Sequence, residues 1–239
     1  MIKVMLDNKV FLKVVSDSFR DFLYSGTSRS TAKLKPLHGA IANDIAERLG
    51  SDFEIVSQGY GDNKEASVSG RYMDKMVDIT IKKNKEAIAG IGVKFVMQNY
   101  SQNSNNYFEN MLGETANLRS AHIPYFQTFI ILDKLPYYNR SKEIIRWETF
   151  TDHNISKYVA LAQDDVSKFF HTPNKTLIYV VHIPDNEKLT DLDEYLNYYK
   201  KGNFRMQLTK HKYPRFGNAV ILNDYETFMN KVYHTILAM

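Results

Sequence analysis

The spacing of hydrophobic residues along the chain predicts its helices. Near the amino terminus, Phe11, Val15, Phe19 and Phe22 recur every three or four residues, which is typical of one face of an amphipathic helix. Similar spacing predicts six helices, at about residues 9–24, 37–49, 106–119, 143–170 with a break near 151–154, 189–200 and 225–237. Gly50 follows the second of these stretches and favours the end of that helix.

Shorter stretches that alternate between hydrophobic and polar residues, or are continuously hydrophobic, predict strands. They lie at residues 53–57, 76–81, 87–97, 125–132, 176–183 and 219–222. A polar turn at 82–85 predicts a hairpin between the second and third strands, and the polar stretches at 25–30, 59–70 and 98–106 predict loops.

The order of these elements favours an α/β (α+β) fold with a mixed central sheet flanked by helices, and with helical additions at both ends. No linker-like stretch divides the sequence, so we expect one domain over residues 1–239. Its core spans about 37–183, and a carboxy-terminal extension spans about 184–239.

The composition of the chain excludes several kinds of chemistry but says little about the fold. The 31 Lys and Arg residues against 27 Asp and Glu residues give a net charge of +4, which excludes a histone-like polycation. The absence of cysteine excludes disulfides, thiolate catalysis and zinc–thiolate sites. Because even the longest apolar stretch, 87–97, contains Lys94 and the start lacks a signal-peptide pattern, we expect a cytoplasmic protein with no membrane contact.

Two predicted neighbouring strands bring an acid and a lysine to the same face. Strand alternation separates Asp78 from the hydrophobic residues beside it and places Lys94 on the same face as Gly90 and Gly92. A tight turn joins the two strands, so Asp78 and Lys94 are expected to meet where the glycines leave room for a ligand. A simple cross-strand ion pair is the alternative interpretation.

The helix at 106–119 offers a second acid. Glu109 borders the predicted buried stripe on the side of Gly113 and Ala116, where a carboxylate needs a partner or a metal ion. Glu114 is predicted to point towards solvent. Glu109 is therefore the candidate and Glu114 the reserve.

This arrangement resembles the PD-(D/E)XK nuclease superfamily, and within it the type II restriction endonucleases. Asp78 matches the first acid of the pattern and Lys94 the lysine, but Gly92 stands where the second acid is expected. One branch of the family takes that acid from the following helix, which would be Glu109.

The resemblance implies a nuclease that hydrolyses phosphodiester bonds of double-stranded DNA as a homodimer. Asp78 and Glu109 would be the metal ligands, and Lys94 would orient or deprotonate the attacking water. Carboxylates and water suit Mg²⁺, and no organic cofactor is expected.

Two polar segments are candidates for DNA contacts. The amide-rich stretch after the third strand can pair with phosphates or base edges, and its candidates are Asn99, Gln102, Asn103 and Asn105. The segment 200–215, called the basic segment below, carries six cations without an acid. They are Lys200, Lys201, Arg205, Lys210, Lys212 and Arg215. A solvated loop with an Asn helix cap, and a solvated basic loop, are the alternatives.

Two other functions stay open at this stage. The same core could serve a DNA repair or mobile-element nuclease, or a catalytically inactive DNA-binding module. His38 and Asp44 lie on the helix before the sheet, where His38 is interpreted as an ordinary helix residue satisfied by its neighbours.

Overall fold

A computed structural model describes residues 6–25, 34–61 and 64–239, so most of the loop predicted at 25–30 lies outside the described residues. The helices are α1 (Asn8–Ser25), α2 (Lys35–Leu49), α3 (Tyr100–Arg119), α4 (Asp152–Leu161), α5 (Leu192–Lys200) and α6 (Tyr225–Leu237). The strands are β1 (Glu54–Ser57), β2 (Ala66–Ser69), β3 (Asp74–Val77), β4 (Ile79–Lys83), β5 (Glu86–Val96), β6 (Tyr125–Leu132), β7 (Lys134–Tyr138), β8 (Ile144–Thr149), β9 (Lys175–His182), β10 (Gln207–Leu208) and β11 (Val220–Leu222).

Seven strands form one mixed sheet in the order β1-β4-β5-β6-β9-β10, with β11 also paired to β9. Strands β1, β4 and β5 are antiparallel neighbours, whereas β5, β6 and β9 run parallel. The polar turn between β4 and β5 forms the predicted hairpin, with Asn84 and Lys85 both at positive φ. The predicted α/β (α+β) class with a mixed central sheet is confirmed.

Helices cover both faces of this sheet. On one face, Phe11 of α1 packs against Tyr179 of β9 and stacks on Tyr225 of α6 at 3.9 Å between ring centroids. On the other face, Phe129 of β6 contacts Tyr158 of α4, which in turn contacts α3. The apolar core therefore has two parts, one on each side of the sheet.

The largest error of the sequence analysis concerns residues 143–170, which are not mostly helical. Residues 144–149 form strand β8, which pairs with β7 and places Trp147 opposite Pro136. This segment is rich in β-branched and aromatic residues, and its pairing with β7 outweighs its helix-like spacing. The predicted break is the start of α4, where Thr151 and Asn154 form a capping box.

Three smaller differences affect the neighbourhood of Asp78. Helix α3 begins at Tyr100 and includes most of the stretch predicted as a loop at 98–106, because the buried Tyr100 ring packs against Phe150 at 5.2 Å. A short strand, β2, lies within the predicted loop 59–70. The strand predicted at 76–81 is two strands, β3 and β4, that belong to different sheets.

The segment after residue 183 adds to the same sheet through β10 and β11, and α6 packs on β9. Within the described ranges, none of the helices combines the length and the hydrophobicity that crossing a bilayer requires.

Candidate functional site

Asp78 is the single residue between β3 and β4, at the point where the chain passes from a two-stranded sheet into the main sheet. Its backbone carbonyl accepts a hydrogen bond from Ser57 Oγ at 2.7 Å. Its carboxylate Oδ2 accepts one from the backbone N–H of Val93, also at 2.7 Å. The carboxylate is therefore fixed against β5, beside Gly92 and Lys94.

The glycine at position 92 is explained by the strand beside it. Gly92 pairs with Gln127 in the parallel ladder between β5 and β6. A Cβ atom on Gly92 would lie 2.3 Å from the hydroxyl of Tyr125 and 2.7 Å from Oε1 of Gln127. The space into which a second acid would project from β5 is thus filled by Tyr125 and Gln127.

A pocket of about 290 Å³, called the site pocket below, opens beside Asp78. Lys94 and Gln127 line it from the sheet, and Glu114 lines it from α3 together with Tyr107. Strands β3 to β6 and helix α3 therefore bring Asp78, Lys94 and Glu114 together.

Glu109 does not belong to this group, and the expected orientation of α3 is wrong. Glu109 is exposed and lies on the side of α3 that approaches Lys157 of α4, whereas Glu114 is half-buried in the site pocket. The reserve candidate therefore occupies the position that the sequence analysis assigned to Glu109. The reason is that α4 packs against α3 at Phe108, which turns the Glu109 side away from the sheet.

The charges in the site pocket act on one another. Lys75 forms an ion pair with Glu114 at 2.5 Å, and Tyr125 donates a hydrogen bond to the same carboxylate at 3.3 Å. Burial raises the pKa of Asp78 to about 6, opposed by the Val93 hydrogen bond and reinforced by the negative charge of Glu114. The carboxylates of Asp78 and Glu114 thus share a partly desolvated space, where their negative charges repel each other.

Lys94 lies at the rim of the site pocket, and its side chain remains exposed. Its Nζ atom lies over the ring of Tyr107, 4.3 Å from the centroid, which restrains the ammonium group. Partial desolvation lowers the pKa of Lys94, and Asp78 and Glu114 oppose this shift. The amine therefore sits near both acids without forming a close ion pair with either of them.

A second group of polar side chains meets at Asp78, and its other two members are not among the residues that line the site pocket. His38 of α2, Glu65 and Asp78 each place one potential ligand atom within 4.8 Å of the others, and these three residues are called the histidine–carboxylate cluster below. His38 is 1% exposed. Among the residues that the structure describes, neither of its ring nitrogens has a hydrogen-bond partner. An unsatisfied buried polar group costs about 1–3 kcal/mol.

The position of His38 depends on two glycines. A Cβ atom on Gly39 would lie 2.3 Å from the carbonyl oxygen of Gly59, and one on Gly59 would lie 2.0 Å from the carbonyl oxygen of Lys35. Gly59 also has φ of 82°, which favours glycine. This close backbone approach brings α2 onto the turn that follows β1, and so brings His38 next to Asp78.

Burial lowers the pKa of the His38 imidazole to about 4, opposed by the charge of Glu65. The ring is therefore neutral at neutral pH and offers a lone pair on one nitrogen. This departs from the sequence interpretation of His38 as a helix residue satisfied by its neighbours.

The amide-rich candidates for DNA contact lie in different surroundings. Asn99 is used by the fold, because its side chain accepts from the backbone N–H of Tyr138 and donates to the carbonyl of the same residue. Asn99 also lines a second pocket, of about 510 Å³, together with Gln102 and Asn103, and this pocket shares Lys94 with the site pocket. Asn105 is exposed at the other side of α3.

The basic segment does not line the site pocket or the pocket beside it. Five of its six cations are exposed, and Lys200 is half-buried. The segment runs along the far edge of the sheet, where β10 pairs with β9. Its Thr209 hydroxyl donates to Asp133 at 2.9 Å, and His211 contacts Asp152 at 2.8 Å.

Sequence reasoning named Glu114 only as the reserve, and it did not assign His38, Glu65 or Tyr125 to the site. Tyr107, Asn110, Met111 and Glu114 are spaced as one face of a helix, and this spacing is the signal that favours Glu114 over Glu109. The contributions of His38, Glu65 and Tyr125 depend on contacts between distant segments. A scan against family models and searches of curated proteins and of solved structures found no match to this chain.

Proposed function

We propose that this chain is a Mg²⁺-dependent endonuclease that cleaves double-stranded DNA, in the manner of a type II restriction enzyme. The observation that supports this proposal is the convergence of Asp78, Lys94 and Glu114, from three separate elements, on one open pocket. The order of a helix, three antiparallel strands, a helix and a parallel strand around that pocket agrees with the resemblance drawn from the sequence.

The donor atoms of the pocket suit a hard divalent cation. Asp78 uses Oδ2 to accept from Val93, which leaves Oδ1 for a ligand. Glu114 contacts Lys75 and Tyr125 but retains lone pairs on both oxygens. Oxygen donors of this kind are the ligands that Mg²⁺ prefers, and a bound Mg²⁺ would supply a more acidic water and a counter-charge for the phosphate.

The remaining residues would position and polarise the reactants. Lys94, steadied by the Tyr107 ring, would hold the attacking water and offset negative charge on the phosphorus oxygens. Lys75 would compensate the charge of Glu114 until a phosphate arrives. Gln102 and Asn103 would contact the DNA next to the scissile bond, from the pocket that adjoins Lys94.

Cleavage of a plasmid of known sequence with Mg²⁺ tests the proposal. The expected products are fragments with both strands cut at fixed positions, as two copies of the chain acting on a palindrome would produce. Asp78→Asn and Lys94→Ala should each lower the rate by at least about a hundredfold. Lys9→Ala, on an exposed position of α1, is the matched control. Full activity of either site variant would refute the assignment.

Glu109 and Glu114 provide an internal control on the same helix. Glu114→Gln should abolish cleavage because it removes a ligand charge from the site pocket, and Glu109→Gln should leave the rate unchanged. The reverse pattern would show that the carboxylate of the pocket is not the one that holds the cation.

A further inference from the structure

We propose that His38 and Glu65 form, together with Asp78, a binding site for a first-row transition-metal cation such as Mn²⁺. The site shares Asp78 with the proposed nuclease pocket but does not depend on nuclease activity. One nitrogen and two carboxylates, drawn from α2, the loop before β2 and the β3–β4 junction, would supply its protein ligands.

Each carboxylate of the histidine–carboxylate cluster is held in place and still has lone pairs to offer. Glu65 accepts from Nε2 of Gln58 at 2.5 Å through Oε1, which leaves Oε2 for a ligand. Asp78 accepts from Val93 through Oδ2 only. These hydrogen bonds orient the two acids in the way that outer contacts orient ligands in metal sites.

The buried imidazole is the strongest indication of a ligand. Asp44, another buried polar residue of the same helix, has a partner for each carboxylate oxygen, since it accepts from the backbone N–H of Leu6 and from the Tyr225 hydroxyl and pairs with Arg48. His38 is as deeply buried but has no such partner among the described residues. A cation between the imidazole and the two acids would satisfy it and compensate their charges.

The nitrogen ligand decides the class of cation. Mg²⁺ prefers oxygen ligands and keeps much of its water, whereas imidazole favours transition metals. Mn²⁺ accepts both carboxylate and imidazole ligands and is paramagnetic, so it serves as the probe. We expect wild-type protein to bind Mn²⁺ at least about tenfold more tightly than Mg²⁺.

Pulsed electron paramagnetic resonance of Mn²⁺ bound to untagged protein tests the site directly. The expected result is a ¹⁴N coupling from one imidazole in the wild type, lost in His38→Gln. His234→Gln, on the exposed side of α6, should retain the coupling and is the matched control. Glu65→Gln, which keeps an oxygen for Gln58, should weaken Mn²⁺ binding by about tenfold or more.

The wild-type spectrum decides the question even if His38→Gln fails to fold. Bound Mn²⁺ without nitrogen coupling, or no Mn²⁺ binding, would overturn the site, as would a coupling that survives in a folded His38→Gln variant. DNA cleavage is measured separately. Nitrogen-coupled Mn²⁺ without cleavage would refute the nuclease and leave the metal site standing, and cleavage without nitrogen coupling would do the reverse.

Discussion

Two groups of acid and histidine side chains lie at different places along the sheet, one where β4 begins and one where β6 ends, and they differ in how their polar atoms are satisfied. In one, called the Asp133 cluster, Asp133 accepts from Thr209 at 2.9 Å and contacts Nδ1 of His182 at 3.1 Å. In the histidine–carboxylate cluster, His38 is fully buried without a partner among the described residues. The same residue types thus hold a surface segment against the sheet in the Asp133 cluster, whereas in the histidine–carboxylate cluster they leave potential ligand atoms without hydrogen-bond partners.

The difference comes from how each group is assembled. The Asp133 cluster lies at the surface, where the His182 side chain is 43% exposed and water can complete its hydrogen bonds. The histidine–carboxylate cluster exists because the glycines at 39 and 59 allow α2 to approach a backbone turn closely. Buried polar groups that lack hydrogen-bond partners, and that a tight backbone contact nevertheless holds in place, are typical of binding sites.

The largest expected effect comes from disturbing that close approach. Gly39→Ala places a methyl group against the Gly59 carbonyl, so we expect the free energy of unfolding to fall by about 2–3 kcal/mol in denaturant titrations. It should also weaken Mn²⁺ binding, because it moves His38. Gly113→Ala is the control, since a Cβ at Gly113 meets nothing within 4 Å. That variant should be more stable than wild type by about 0.5–1 kcal/mol.

A smaller effect is expected at the glycine beside Asp78. Gly92→Ala brings a methyl group against the hydroxyl of Tyr125, so we expect a loss of about 1–2 kcal/mol in the free energy of unfolding. Tyr125→Phe removes that hydroxyl. A double-mutant cycle should therefore show the pair to be less destabilising than the sum of the single changes, by about 1 kcal/mol. Simple additivity would mean that Tyr125 does not fill this space.

The comparison of the two groups predicts that replacing a polar side chain changes the free energy of unfolding differently in each group, when it is measured in EDTA so that no metal ion is bound. His38→Leu removes an unsatisfied buried group and replaces it with an apolar one of similar volume, so the free energy of unfolding should stay within about 1 kcal/mol of wild type or rise. Asp133→Ala leaves Thr209 and His182 without their acceptor and should lower it by about 1 kcal/mol.

Adding Mn²⁺ should stabilise the His38→Leu and Asp133→Ala variants to different extents. At a Mn²⁺ concentration about a hundredfold above the Kd, wild type and Asp133→Ala should each gain about 2.7 kcal/mol in the free energy of unfolding. His38→Leu should gain markedly less. Equal gains in all three proteins would place the cation away from His38.

The smallest effect concerns the basic segment that the Asp133 cluster fastens to the sheet. Lys210→Ala combined with Lys212→Ala should reduce the slope of log K for DNA against log salt concentration by roughly 0.9 for each phosphate that the segment no longer neutralises. Lys9→Ala should leave the slope unchanged. An unchanged slope in the double variant would identify the basic segment as a solvated loop.

The sequence alone predicts the helices and strands whose hydrophobic residues recur with a strong period. Residues 125–132 and 225–237 form a strand and a helix with the predicted bounds, and the hairpin at 82–85 places Asp78, immediately before β4, beside the strand that carries Lys94. These features depend on local patterns that survive in the folded protein.

The errors arose where contacts between distant segments decide the outcome. Helix α3 is covered on two sides, by the sheet and by α4, so its hydrophobic stripe did not reveal which acid faces the pocket. Because the sequence pattern predicts a helix at residues 144–149, it does not give the position of α4. The orientation of Glu109 depends on that position, so it could not be predicted either. His38 gave no signal, because its neighbours Glu65 and Asp78 approach it only in the folded chain.

The interruption of the strand at Asp78 makes the site depend on several separate units of the fold. The chain leaves the β2–β3 hairpin and enters the main sheet at this residue, so its carboxylate belongs to neither unit by itself. Lys94 arrives with the β4–β5 hairpin, but Glu114 and His38 arrive only when α3 and α2 dock. No partly folded intermediate that lacks one of these helices contains the complete constellation. Cations bound at both the site pocket and the histidine–carboxylate cluster would therefore report a population in which α2, α3 and the sheet are all in place, rather than any local unit of structure.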